Sequence, residues 1–101
     1  MAHEGLHEDR EDLSKKTLDY HRAVISLIEE LEAVDWYNQR VDACEDDELE
    51  EILAHNRDEE KEHAAMLLEW IRREDESFSH ELKEYLFTKG SLSDIEGSHE
   101  D

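Results

Sequence analysis

Asn56-Arg57-Asp58-Glu59-Glu60-Lys61-Glu62-His63 lies between two apolar stretches, and its reading decides the fold. At helical spacing Leu49, Leu53, Asn56, Glu60, His63, Leu67 and Trp70 recur in alternating steps of four and three. That pattern predicts the core-facing stripe of one long amphipathic helix. The two ends of the stripe are apolar, but its middle is an amide, a carboxylate and an imidazole. A carboxylate turned inward is costly unless a cation, hydrogen bonds or a proton compensates it. The outer face carries Glu51, Asp58, Lys61, Glu62, Arg72 and Arg73, an ordinary solvated face.

Upstream, Tyr20, Val24, Leu27, Leu31, Val34 and Val41 form a second stripe, widened by Ile25, Ile28 and Trp36. The spacing predicts a first helix from about Asp12 to Ala43 and a second over Asp47 to Glu74. The acidic turn Cys44-Glu45-Asp46-Asp47-Glu48 joins them as antiparallel neighbours. Asp46 or Asp47 is expected to cap the second helix, with Glu50 completing a capping box after Asp47. Beyond a loosened run at residues 74–77, Ser77 or Ser79 is expected to open a shorter third helix ending near Phe87. Phe78, Leu82, Tyr85 and Leu86 give it an apolar side. Residues 1–11 read as a flexible arm containing His3 and His7, residues 12–87 as one helical domain, and 88–101 as a flexible acidic tail.

The chain has 101 residues and a formal charge of −20, from 31 acidic and 11 basic side chains. So acidic a surface disfavours nucleic acid, whose binding needs a basic footprint, and attracts cations. No apolar run is long enough to span a bilayer, and no signal-peptide pattern opens the sequence. With Cys44 as its single cysteine, the expected setting is a reducing cytoplasm. No Gly-rich phosphate loop and no Ser-His-Asp or Cys-His pair stands at useful spacing.

Glu60 and His63 form Glu-x-x-His, whose side chains share one helix face and can reach one ion. If the hairpin turns near residue 45, Glu30 and Glu60 each lie ~22 Å from the bend at 1.5 Å per residue. Glu30 therefore faces Glu60 across the hairpin. Carboxylate oxygens stabilise Fe(III), and imidazole also suits Fe(II). Di-iron carboxylate bundles take one Glu from each of two helices and Glu-x-x-His from each of the other two. This chain supplies half of that set, and its two stripes exceed what two helices can bury. A two-fold dimer answers both needs. The expected fold is all-α: an antiparallel two-helix hairpin plus a short C-terminal helix, dimerising into a four-helix bundle.

Glu29-Glu30-Leu31-Glu32-Ala33-Val34-Asp35-Trp36-Tyr37, followed by His55-Asn56-Arg57-Asp58-Glu59-Glu60-Lys61-Glu62-His63-Ala64-Ala65-Met66, closely resembles the encapsulated ferritins across residues 13–87. The resemblance implies a ferritin-like ferroxidase that oxidises Fe(II) with dioxygen at a di-iron site shared by two chains. It also implies a ring-shaped decamer, a pentamer of dimers, held inside an encapsulin nanocompartment in the cytoplasm and serving iron storage. By the same resemblance Glu30, Glu60 and His63 are the catalytic iron ligands, and Glu29 and Glu32 a secondary site that draws metal in. Calcium or zinc can occupy such sites in place of iron. Trp36 and Tyr37 match aromatic residues beside the centre; from the residues alone Trp36 fits the core equally well, while Tyr37 lies on the Glu30 edge. Family members carry a short apolar, Gly-containing targeting peptide. The chain departs from that pattern here: Gly90-Ser91-Leu92 is too short to identify as such a peptide and the last residues are acidic, so loading into a shell rests on the resemblance.

The competing reading is a non-catalytic helical assembly module that binds a divalent ion at its dimer interface. A peroxide-reducing di-iron protein would want cysteine-bound iron, which a lone Cys44 does not provide. A hemerythrin-like oxygen carrier would need more core histidines than His21, His55 and His63.

Overall fold

The computed structural model describes residues 5–97. Its elements are a 3-10 turn at Arg10–Asp12, then α1 (Lys15–Ala43), α2 (Asp47–Glu74), α3 (Glu76–Tyr85) and α4 (Leu92–Gly97). The described residues contain no strand, and no helix among them is long and apolar enough to cross a membrane. The chain divides into two compact units, one ending at Ile71 and the next beginning at Arg72. His3 and the last four residues lie outside the described range, and His7 is exposed.

The helix ends follow from short polar side chains. Ser14 accepts from the Thr17 amide at 3.1 Å, so α1 begins at Lys15 and not near Asp12 as the periodicity suggested. The hydroxyl satisfies one of the orphan amides of the first turn, and the residues before it close into the separate 3-10 turn. Asp46 caps α2, its Oδ1 accepting from the Leu49 amide at 2.8 Å. The expected box between Asp47 and Glu50 is absent, because the cap falls one residue earlier. Asp47, Glu48 and Glu50 in the first turn still complement the positive end of the helix dipole. Asp75, rather than Ser77 or Ser79, caps α3 by accepting from the Phe78 amide at 2.9 Å. α3 stops at Tyr85; Leu86 is its C-cap, and Phe87 takes a positive φ of 63°. The sequence suggested no helix after Phe87, yet Leu92–Gly97 forms one, with Ser91 Oγ accepting from the Asp94 amide at 3.4 Å.

Only Cys44, Glu45 and Asp46 separate α1 from α2, which leaves the chain no choice but to reverse. Asn38 meets Arg57, and further from the bend Glu30 meets His63. One partner's number falls as the other's rises, so the helices run antiparallel. Each is long: 29 residues of α1 span about 44 Å.

The seam between them is narrow. Among the described residues of this first unit only Ala23, Ala64 and Ile71 are buried, and Ala64 and Ile71 stand seven residues apart on α2. Small alanines let two backbones approach, but they bury little area. Leu31 and Trp36 of α1 and Leu49, Ile52, Met66 and Trp70 of α2 keep 40–61 % of their surface exposed. The two stripes expected as core are therefore only partly covered: Leu31 of the first helix's stripe and Leu49 and Trp70 of the second's remain open. The wide stripe offers more surface than one neighbouring helix can cover, and the hairpin seam uses its edge. Fully burying side chains of this size is worth roughly 1.5–3 kcal/mol each.

Replacing Asp46 with Ala is expected to cost about 1 kcal/mol of stability, read as a lowered midpoint in urea with an unchanged slope.

Candidate metal centre

Glu60 and His63 are one turn apart on α2 and project from the same face. Across the seam α1 presents Glu30. His63 Nδ1 lies 3.3 Å from Glu30 Oε2 and 3.2 Å from Glu60 Oε1. One ligand atom from each of the three side chains falls within 4.8 Å of the others. The two carboxylates are mostly covered, with 20 % and 24 % of their side-chain surface exposed, whereas the imidazole is 42 % exposed.

Three electron-rich atoms aimed at one another require something positive between them. A proton on Nδ1 is one solution, since it gives the carboxylates a donor. Burial and the neighbouring Glu60 carboxylate both raise the Glu30 pKa, and His63 opposes them in part. The second solution is a cation. Two carboxylate oxygens and one imidazole nitrogen suit Fe(II), Mn(II) or Zn(II). Three protein ligands leave coordination positions open, so the cluster as one chain presents it fits a divalent metal but does not enclose it.

Register is held nearby by Arg57. Its Nη1 donates to Asn38 Oδ1 at 3.0 Å and its Nε to Asp58 Oδ1 at 3.1 Å. Arg57 thus links the helices about one turn from Glu60, toward the bend. Sequence reading passed over this residue. Its signal was present: Arg57 lies seven residues before buried Ala64 on the seam row, with an amide-bearing helix opposite.

The other expected site residues are placed differently. Glu29 is exposed and Glu32 half-buried, and neither joins a group of three or more candidate ligands among the described residues. Trp36 is 46 % exposed and so is not part of a core within the single chain. Tyr37 is half-buried, with the Arg40 guanidinium 5.4 Å from its ring centroid, a cation–π contact. Asn56 is half-buried on the stripe and His55 exposed.

Known proteins share this chain's pattern. The family model described as EncFtn-like matches residues 5–89. An encapsulated ferritin-like protein of Rhodospirillum rubrum is 60 % identical over 94 residues, covering 93 % of this chain and 67 % of its own length. A ferritin-like protein of Thermotoga maritima is 51 % identical over 90 residues, covering 89 % and 79 %. The crystal structure of a Nitrosomonas europaea protein superimposes with a TM-score of 0.85 at 67 % identity, over 88 % of this chain and 98 % of that one.

The raised Glu30 pKa has a signed consequence for metal-free protein. The folded state holds this proton more tightly than the unfolded chain, so its contribution is present in acid and lost as pH rises through the raised value. Thermal melts of wild type and Glu30→Gln without metal should agree in acid, with the variant becoming the more stable as pH approaches neutrality.

Proposed function

Because the chain belongs to the EncFtn-like family, we propose that it is a ferroxidase that oxidises Fe(II) with dioxygen at a centre completed by a second copy of itself. One observation carries the reading: Glu30 from α1 and Glu60-x-x-His63 from α2 place their ligand atoms within 4.8 Å of one another. Iron is the substrate, and the residues are its binding groups. Glu60 and His63 hold an ion from one helix, and Glu30 supplies the carboxylate that reaches across. A two-fold copy contributes the same three groups, which gives two ions and the ligand set of a di-iron carboxylate bundle.

The apolar surface supports the same partner. Leu49, Ile52, Met66 and Trp70 recur at heptad-like spacing, and His63 falls on the same run. Covering that run would bury apolar side chains and enclose the imidazole edge of the cluster in one step. Packing at seven-residue spacing favours crossing angles of about 20°, the geometry of four-helix bundles. Each iron carries positive charge into a site where burial, and after it the neighbouring Glu60 carboxylate, raise the Glu30 pKa, so binding compensates a charge that the site otherwise disfavours. A proton held at Glu30 or His63 must leave as the metal enters. When bound, the ions supply electrons to dioxygen, and the surrounding carboxylates favour the Fe(III) product.

The further features follow from the family and stand on the same proposal. Dimers assemble as a decamer, a pentamer of dimers. The R. rubrum relative's name, encapsulated ferritin-like protein, supports a place within an encapsulin nanocompartment in the cytoplasm, where the oxidised iron is stored. Glu29 and Glu32 act as the entry site that feeds the centre, where calcium or zinc competes with iron. Trp36 and Tyr37 flank the centre once the second copy is present.

Glu30→Ala, Glu60→Ala and His63→Ala should each slow aerobic Fe(II) oxidation by at least about tenfold, a loss of the size expected when metal-site groups are removed. Absorbance after anaerobic Fe(II) loading and air exposure gives the rate, and native mass gives iron content and subunit number. Wild-type rates in all three variants, with dimers intact, would leave a non-catalytic assembly module as the correct reading.

A further inference from the structure

The second unit carries a site opposite in charge to the carboxylate centre. Arg72 and Arg73 stand in the last turn of α2. On α3, Glu76, Ser79, His80 and Lys83 follow one another in steps of three, one and three, which puts them on a single helix face. These six residues line one cleft of about 460 Å³. Within it Arg72 Nη1 donates to Ser79 Oγ at 2.8 Å, in a part-buried bond. A hydroxyl that accepts from a guanidinium still has its own proton to donate. His80 Nε2 lies 3.9 Å from Glu84 Oε1.

Arg72, Arg73 and Lys83 line the cleft together with Glu76, on a chain whose formal charge is −20. Cations at the end of α2 complement its dipole, which accounts for Arg72 and Arg73. It does not account for Lys83 on the face of α3 that lines the same cleft, beside a serine hydroxyl. We propose that this cleft binds a small tetrahedral oxyanion of the phosphate class, held by Arg72, Arg73 and Lys83 and by the Ser79 hydroxyl. Guanidinium groups match such oxygens in a fork geometry that an ammonium lacks, and Lys83 adds a point charge. A small ion is favoured over a polyanionic macromolecule for a physical reason. An extended polyanion meets the acidic remainder of the surface, whereas a small ion is governed by donors within about one Debye length, ~8 Å at physiological ionic strength. Glu76 in the lining, and Glu84 beside His80, are opposing charges that limit affinity.

The test uses the full chain and inorganic phosphate, titrated at constant ionic strength against chloride and read by calorimetry and phosphorus NMR line width. Saturable binding is expected in wild type. Arg73→Gln and Lys83→Gln should each weaken it about tenfold, the effect of losing one charge-assisted hydrogen bond, and Glu76→Gln should tighten it several-fold. Far-UV helicity confirms folding. Should Arg73→Gln unfold, the exposed positions Lys83 and Glu76 still carry the test with opposite signs. Fe(II) oxidation in the same variants should match wild type, so the two functions fail independently. Phosphate retained no better than chloride would overturn the proposal. So would equal affinity in wild type, Lys83→Gln and Glu76→Gln, the mark of an adventitious ion only.

Discussion

Two carboxylates and an imidazole drawn to within a few ångströms of each other form an arrangement that proteins do not keep without reason. Each group would be better solvated alone. Here they are held together by structure that has nothing to do with their own attraction: a three-residue reversal, a seam of small alanines, and the Arg57–Asn38 bond between helices. The hairpin spends stability to keep the cluster assembled. A positive species at its centre turns that cost into binding energy, and the raised Glu30 pKa, caused first by burial and then by the neighbouring Glu60 carboxylate, shows that uncompensated negative charge is disfavoured there.

The same hairpin leaves a wide apolar surface uncovered. Ala23, Ala64 and Ile71 are the only buried apolar side chains among the described residues, while Leu, Ile, Met and Trp side chains on both long helices stay open. A small domain buries a modest fraction of its surface even when well packed, and two helices with one seam bury less. The proposed second copy would supply the missing contacts and ligands through the same run of residues. Association and metal chemistry would then be one equilibrium rather than two.

Much of this was legible in the sequence, for reasons specific to helices. Period and length fixed α1 and α2, and counting from the acidic turn placed Glu30 opposite Glu60 before any coordinates. Boundaries were less legible because periodicity does not register caps. Ser14 and Asp75 each displaced an expected start by hydrogen-bonding amides that an apolar pattern does not see, whereas Asp46, a cap the acidic turn already offered, left α2 where it was expected. The depth of burial was not legible either. A stripe shows which side chains seek cover, not whether one neighbour is broad enough to give it, so Leu49 and Trp70 were expected inside and lie open. Arg57 was missed because a charged side chain reads as solvent-facing until its partner on the other helix is known. The basic cleft depends on how α3 leaves α2, a matter of one capping aspartate, and no local motif announces it.

The three-residue bend also acts as a ruler for sequence drift. Glu30 and Glu60 are matched by their distances from it, and one residue added within either arm would turn everything beyond by about 100° and advance it by about 1.5 Å. Related chains should therefore gain or lose residues before α1 and after Ile71, where nothing is measured against the bend. Between Glu30 and His63 they should differ by substitution alone.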